Sequence, residues 1–298
     1  MPAPLLIADV PWLLYRSYFA LPKSIADESG RPVNALLGTV NTILSLFESP
    51  PAAGVPRAVL ACMGAEQADY RVALYQPYHA HRDPMPPELA EQWRKAPRLL
   101  EALGWEVPTS EDLEADDVMY SFARAESARG GRALLLTADR DLYGAVDERV
   151  AVLELGRGGA EHVEIGPEQV RERYGVEPAL VPDFIALRGD PSDGLPGAPG
   201  IGAKTAAELL RSHGSLEALL AAAHGEDGGG LRPRVVSALL ENEQLLRAFK
   251  QIATLQQLEV EAPGDHATDF LTGAEAAREL GMRRLAGRLE QLGQRAGS

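Results

Sequence analysis

Four short apolar runs, Leu5–Ala8, Arg57–Met63, Ala133–Thr137 and Arg149–Leu155, alternate through the first 160 residues with stretches whose apolar residues recur at helical spacing. That alternation restricts the chain to a largely parallel sheet covered on both faces, because each strand must be carried back to the same end by a crossover helix. The helical stretches are Trp12–Ala20, Ala35–Leu46, Leu89–Leu103 and one running through Glu114–Ala125, which Ser110 is placed to cap. Trp105–Pro108 reads as a further short strand. From Gly166 the patterns are helical only: Pro167–Tyr174, Pro178–Arg188, Ala203–His213, Ser215–Ala223, Pro233–Thr254 and Ala274–Leu292, with His224–Gly230 as a surface loop. The expected fold is α/β, a mostly parallel central sheet flanked by helices over 1–165, followed by a helical region over 166–298.

A chain of 298 residues can bury a substantial core without cross-links, and its single cysteine, Cys62, excludes an intrachain disulfide. Cys62 is expected as a small core residue on a strand. No apolar run approaches the roughly 20 residues that span a bilayer. Met1–Asp9 has no basic region and too short an apolar segment for a signal peptide, so the cytoplasm is the expected compartment and no membrane partner is expected. The formal charge of -14 argues against a protein that coats nucleic acid through a basic surface. It leaves room for an enzyme whose acids hold divalent metals while a local basic face meets phosphates.

The acids fall at informative places. Asp9 ends the first strand, and Asp139 and Asp141 follow the strand Ala133–Thr137; ligand sites of open parallel sheets form just beyond such strand ends. Glu114, Asp116 and Asp117 lie in the first turns of a helix, where the dipole favours negative charge. Asp190 and Asp193 follow the helix Pro178–Arg188. Any one group has a plain explanation as a helix start or a turn. Together they make eight carboxylates that would repel one another if gathered without counter-charge, and such oxygen-rich clusters hold Mg²⁺ or Mn²⁺. Two such ions about 4 Å apart activate water and stabilise the leaving oxygen of a phosphodiester.

Between two helical patterns lies Gly197-Ala-Pro-Gly-Ile-Gly-Ala-Lys204. No strand precedes it, which argues against a nucleotide-binding P-loop. Backbone N–H groups near Gly200 and Gly202, a helix amino terminus and Lys204 would suit the backbone phosphates of a duplex. A tight interhelical turn with glycine in left-handed positions explains the same residues.

Taken together, Leu5-Leu-Ile-Ala-Asp9 with Leu14–Pro22, Tyr78–Pro86, Leu113-Glu-Ala-Asp-Asp-Val118, Leu136-Thr-Ala-Asp-Arg-Asp141 and Arg188–Asp193 running into Gly197–Thr205 resemble the 5′-nuclease family. That family comprises the 5′-to-3′ exonuclease domain of bacterial DNA polymerase I and the related flap endonucleases. The likeness covers nearly the whole chain in the same order. It implies that Asp9, Glu114 and Asp116 belong to a first metal site and Asp139, Asp141 and Asp193 to a second, with Asp117 and Asp190 supporting. It makes residues 178–213 a helix-three-turn-helix that grips duplex DNA and often holds K⁺, and residues 66–95 an arch for the 5′ single strand. Arg71 and Arg82 match basic arch positions. No polymerase domain follows, so the resemblance implies a stand-alone, monomeric nuclease acting on DNA with a 5′ end or flap and on RNA–DNA hybrid.

Three positions depart from the family pattern. Gly64 stands where a metal-binding aspartate is usual, His79 where the arch lysine falls, and Val10 where a glycine follows the first aspartate. Glu66 and Asp69 are the nearby acids, at different spacing. Loss of a ligand and a fixed charge motivates an alternative function, a structure-selective DNA-binding protein with impaired catalysis. Hydrolysis of small phosphate esters is a third reading, which leaves the arch and the interhelical segment idle. Tyr15 and Tyr18 near Arg16 are candidates for stacking on a displaced base, and Arg283, Arg284 and Arg288 form a basic stripe on the last helix.

Overall fold

The computed structural model describes residues 3–156 and 162–296. Five strands, β1 (Leu5–Asp9), β2 (Ala58–Cys62), β3 (Ala133–Leu136), β4 (Val150–Glu154) and β5 (Val163–Ile165), form one sheet in the order β2-β1-β3-β4-β5. The first four are parallel and β5 pairs antiparallel with β4. Five helices lie among the strands: α1 (Val10–Ala20), α2 (Asn34–Glu48), α3 (Asp69–Leu74), α4 (Pro87–Ala102) and α5 (Ala115–Ala128). After β5 come α6 (Pro167–Tyr174), α7 (Val181–Arg188), α8 (Ala203–His213), α9 (Leu216–His224), α10 (Pro233–Glu241), α11 (Glu243–Ala253), α12 (Phe270–Glu279) and α13 (Arg283–Ala296).

The period-2 geometry of a strand divides the core in two. Leu5 and Ile7 of β1, with Leu135 and Val152, face a layer built by α5 and the helices from α6 to α11. Leu6 and Ala8, with Leu134 and Leu153, face α1, α2, α4, α12 and α13. Each fully buried Leu or Ile contributes roughly 1.5–3 kcal/mol, so strands apolar on both sides suit a sheet with no wet face. The chain runs from β1 outward to β2 and then returns across β1 to β3. The order therefore reverses between β1 and β3, and Asp9 and the residues after Leu136 lie at that reversal.

Several details differ from the sequence expectation. Trp105–Pro108 makes only one parallel bridge, Glu106 beside Leu60, with Ala61 N–H donating to Glu106 O and Met63 N–H to Pro108 O. A proline without a donor ends the ladder there. Ser110 Oγ accepts from Leu113 N–H and so caps a preceding turn, while α5 starts at Ala115 after Glu114. Pro233–Thr254 is two helices parted at Asn242, and Ala274–Leu292 is broken at Gly281, whose φ of 76° no helix accommodates. The helices after β5 divide between the two cores. Ala274, Ala277, Leu285 and Leu289 of α12 and α13 share the core of α1 and α2. Residues 255–269, which form neither helix nor strand, make that return, with Gln256 N–H donating to Asp117 Oδ1 and Leu258 N–H to Ser121 Oγ of α5. The expected basic stripe is largely engaged, Arg283 with Glu28 and Arg288 with Glu48. Among the described residues no helix is long and apolar enough to cross a membrane.

Candidate functional site

Asp9 is both the last residue of β1 and the N-cap of α1. Its Oδ1 accepts from Trp12 N–H at 2.9 Å and its Oδ2 from Thr137 Oγ1–H at 2.8 Å. Thr137 follows β3 directly, so this bond ties the two strand ends across the reversal. Burial pushes the Asp9 carboxyl up to about 6, against those two hydrogen bonds and with help from the charge of Asp116. Asp139 N–H donates to Thr137 Oγ1 and Asp139 Oδ1 accepts from Asp141 N–H, which folds the loop after β3 tightly. Asp139 is pushed up to about 8 by dehydration in the crowded cleft and by the charges of Asp193 and Asp116, although part of its surface meets water. Asp141 rises well above the ordinary range for the same reasons, burial first and then Asp139, Asp193 and Asp190.

Glu114 occupies the N-cap position of α5 without a side-chain capping hydrogen bond, and Asp116 and Asp117 lie in the first turn. These three acids surround Arg71 of α3, which is only 2% exposed. Its Nη1 lies 2.8 Å from Glu114 Oε2, and its Nη2 lies 3.0 Å from Asp116 Oδ2 and from Asp117 Oδ1. Tyr78 O–H donates to both Glu114 oxygens at 3.1–3.2 Å. Burial raises Glu114 against the pull of Arg71, and pushes Asp117 up to about 7. Asp117 is fully buried and also accepts Gln256 N–H from the return segment.

Asp193 follows α7. Dehydration works to raise its carboxyl, but the His79 hydrogen bond and the charges of His79, Arg82 and Arg71 outweigh that and hold it below the ordinary value. Asp190 Oδ1 accepts from Ser192 N–H and shapes the same turn. Two glycines make this turn possible. Gly189 (φ 85°) and Gly197 (φ 70°) press backbone on backbone, and a Cβ on Gly197 would stand 2.4 Å from Gly189 N.

The eight acids named from the sequence are linked through a shared partner or mutual charge: Glu114, Asp116 and Asp117 share Arg71, Asp9, Asp139 and Asp141 feel Asp116, Asp139 and Asp141 feel Asp193, and Asp141 feels Asp190. They act at Coulombic range: among the described residues no three acid, histidine or cysteine side chains stand close enough to hold one ion as they are. The basic residues divide. Arg71 and His79 are buried against acids, and Arg82 is half exposed and 3.1 Å from Asp193 Oδ1. Arg16 is exposed over the Trp12 ring, Lys204 is exposed at the start of α8, and Gly200 and Gly202 border open space. Tyr18 is buried with its hydroxyl on Glu88, so it presents no face for stacking.

Gly64 has a physical explanation. A Cβ there would meet Leu113 O, Glu114 C and Ala115 N, all at 2.6 Å, so the backbone that delivers Glu114 fills the space any side chain would need. Glu66 Oε1 accepts from Tyr15 O–H at 2.6 Å. Val10 is a fully buried core residue. Sequence reasoning passed over Thr137 and Tyr78 as partners of acids; their places, just after a strand and just before His79, were the only signal.

Fold and cleft together define the class, a parallel α/β protein whose carboxylates gather where the strand order reverses. Residues 4–175 match the family model of the 5′-3′ exonuclease N-terminal resolvase-like domain, and residues 176–271 that of the 5′-3′ exonuclease C-terminal SAM fold. A 5′-3′ exonuclease of Mycobacterium tuberculosis is 34% identical over 98% of both chains. The thermostable DNA polymerase I of Thermus thermophilus is 37% identical over 96% of this chain, which spans only 32% of that polymerase. Among solved structures, T5 5′-exonuclease with bound zinc superposes with a TM-score of 0.66 at 15% identity, covering 97% of this chain and 98% of that one. The catalytic core of Rad2 in complex with DNA substrate gives 0.62 at 13%, covering 96% and 92%. This chain belongs to the 5′-3′ exonuclease family and is a nuclease.

Proposed function

We propose that the chain hydrolyses DNA phosphodiesters near a 5′ end or 5′ flap with the help of Mg²⁺ or Mn²⁺. The observation that carries this reading is the convergence of acids from four separated segments on one cleft. Asp139 and Asp141 feel Asp193 and Asp116, and Asp9 feels Asp116. The donor set fits a hard divalent cation. It is all oxygen, and Asp9, Asp139 and Asp141 carry raised pKa values with no basic side chain hydrogen-bonded to them among the described residues.

Asp9, Glu114 and Asp116 would hold one ion and Asp139, Asp141 and Asp193 another, with Asp117 and Asp190 behind them. Bound divalent ions supply an acidified water and charge stabilisation at the phosphate. The chain's own residues do the rest. Arg82 and Arg16 line the mouth as candidate phosphate contacts, and Arg71 and His79 stand behind it against the acids. Gly200, Gly202 and Lys204 offer open backbone and one cation to a duplex beyond the cleft, where K⁺ would sit in the turn 197–204. Residues 66–95 form the arch, and the protein acts as a monomer in the cytoplasm on DNA or RNA–DNA hybrid.

A labelled 5′-flap duplex incubated with Mg²⁺ or Mn²⁺ tests this against Asp139→Ala. The substitution is expected to lower single-turnover cleavage by roughly 10²-fold or more. Equal cleavage by both proteins, or none by either, ends the reading.

A further inference from the structure

His79 is a non-glycine residue with φ 56°, in the left-handed region where Asn, Asp and His are several-fold enriched but any side chain is uncommon. Such a backbone persists only where its surroundings over-determine it. Here they do, from three directions. His79 N–H donates to Asp193 O at 3.2 Å, and His79 Nε2–H donates to Asp193 Oδ1 at 3.0 Å. The imidazole lies flat on the Tyr78 ring, with centroids 3.8 Å apart and planes 22° from parallel. The same Tyr78 places its hydroxyl on Glu114.

A continuous path of contacts therefore runs from an acid at the start of α5, through two stacked rings, to an acid in the turn after α7. His79 Nδ1 is buried without a partner among the described residues, so the residue gives up one hydrogen bond to make the Nε2 contact. Arg82 also reaches Asp193, but its side chain is 48% exposed and its pairing is weakened by solvent, whereas the His79 side chain is 6% exposed.

We infer that His79 is a positioning residue. It fixes the Asp193 carboxylate in orientation and, through Tyr78, keeps that carboxylate at a set separation from Glu114. It acts through these acids and does not itself meet the scissile phosphate. The inference rests on the reading of Asp193 and Glu114 as cation ligands. Partners that orient ligating carboxylates typically change metal affinity by about 10–100-fold when removed.

The test compares His79→Ala, His79→Asn and His79→Gln in the full chain. Ca²⁺ affinity is measured by calorimetry without DNA, half-saturating Mn²⁺ in flap cleavage, and folding by circular dichroism. Gln carries a donor near the position of imidazole Nε2, whereas Asn is too short to reach it; yet Asn suits the left-handed backbone better. Recovery by Gln alone therefore reports the hydrogen bond and not the backbone. We expect His79→Ala and His79→Asn to weaken Ca²⁺ binding about 10-fold and raise half-saturating Mn²⁺ to match, with turnover at saturating Mn²⁺ little changed. His79→Gln should stay close to wild type in both. If His79→Ala does not fold, the Gln and Asn pair carries the same comparison. Unchanged or tighter Ca²⁺ binding in folded His79→Ala or His79→Asn overturns the inference, as does Gln performing no better than Asn. Wild-type protein that neither binds Ca²⁺ nor cleaves would instead sink the functional reading beneath it.

Discussion

The two acid groups at the cleft handle their charge in opposite ways. At the start of α5, Glu114, Asp116 and Asp117 close on Arg71, a cation the chain supplies itself. At the sheet reversal, Asp9 accepts from Trp12 N–H and Thr137 Oγ1–H, and Asp139 accepts from Asp141 N–H. One group is folded around an internal cation; the other, Asp9, Asp139 and Asp141, gathers its charge with no basic side chain hydrogen-bonded to it among the described residues. The sharpest way to break this contrast is Arg71→Met, which keeps the length of the side chain and removes its charge. Stripping one partner from a buried ion cluster costs about 3–5 kcal/mol, because the charges left behind have no water. A large fall in denaturation midpoint is expected for cation-free protein, with partial recovery in acid as the stranded carboxyls take up protons. A midpoint within a degree of wild type at neutral pH would erase the distinction between the groups.

The second group makes its own forecast about pH, in the protein without any substitution. Asp9 at about 6 lies above the ordinary 3.8, and buried Asp141 is raised well above it too, so the folded protein holds protons that the unfolded chain has released. Stability of cation-free protein must then fall as pH rises from about 4 through about 6, since the unfolded state binds fewer protons throughout that interval. Divalent ions bind the ionised acids of the folded state and should restore what is lost, so the Ca²⁺-induced rise in Tm should be larger at pH 8 than at pH 5.5. Asp141→Asn should raise the cation-free Tm and shrink that rise. A Ca²⁺ effect that is absent, or that is the same at both pH values, would show that these acids do not share a cation.

The architecture was legible because its signals are local. Apolar runs such as Leu5–Ala8 and Ala133–Thr137 with helical spacing between them permit little but a parallel sheet, and Asp9 and Asp139 take their places from strand ends alone. What stayed hidden depends on contacts between distant segments. Nothing near Arg71 in sequence says that three acids more than forty positions away will enclose it. Gly64 looks like a lost ligand until the backbone of residues 113–115 is seen to occupy the space. The single helical pattern read over Ala274–Leu292 gave no sign that it breaks at Gly281 or crosses to the α1 and α2 side, because periodicity fixes an apolar face but not what that face meets.

A third region serves as the control for both acid groups, and its effect is the smallest. Lys204 is exposed at the amino end of α8, next to the open backbone of Gly200 and Gly202, and touches neither Arg71 nor the sheet reversal. Its charge acts only on a phosphate that approaches it. Removing one phosphate contact lowers the slope of log affinity against log salt by about 0.9 and weakens binding at low salt without sequence preference. Lys204→Ala should therefore bind a 5′-flap duplex in Ca²⁺ several-fold less tightly with a flatter salt dependence, while its Tm and the pH dependence of its Ca²⁺ response match wild type. An unchanged salt slope would remove the turn 197–204 from the DNA surface. A changed Ca²⁺ response would mean that duplex grip and cation site are one unit rather than two.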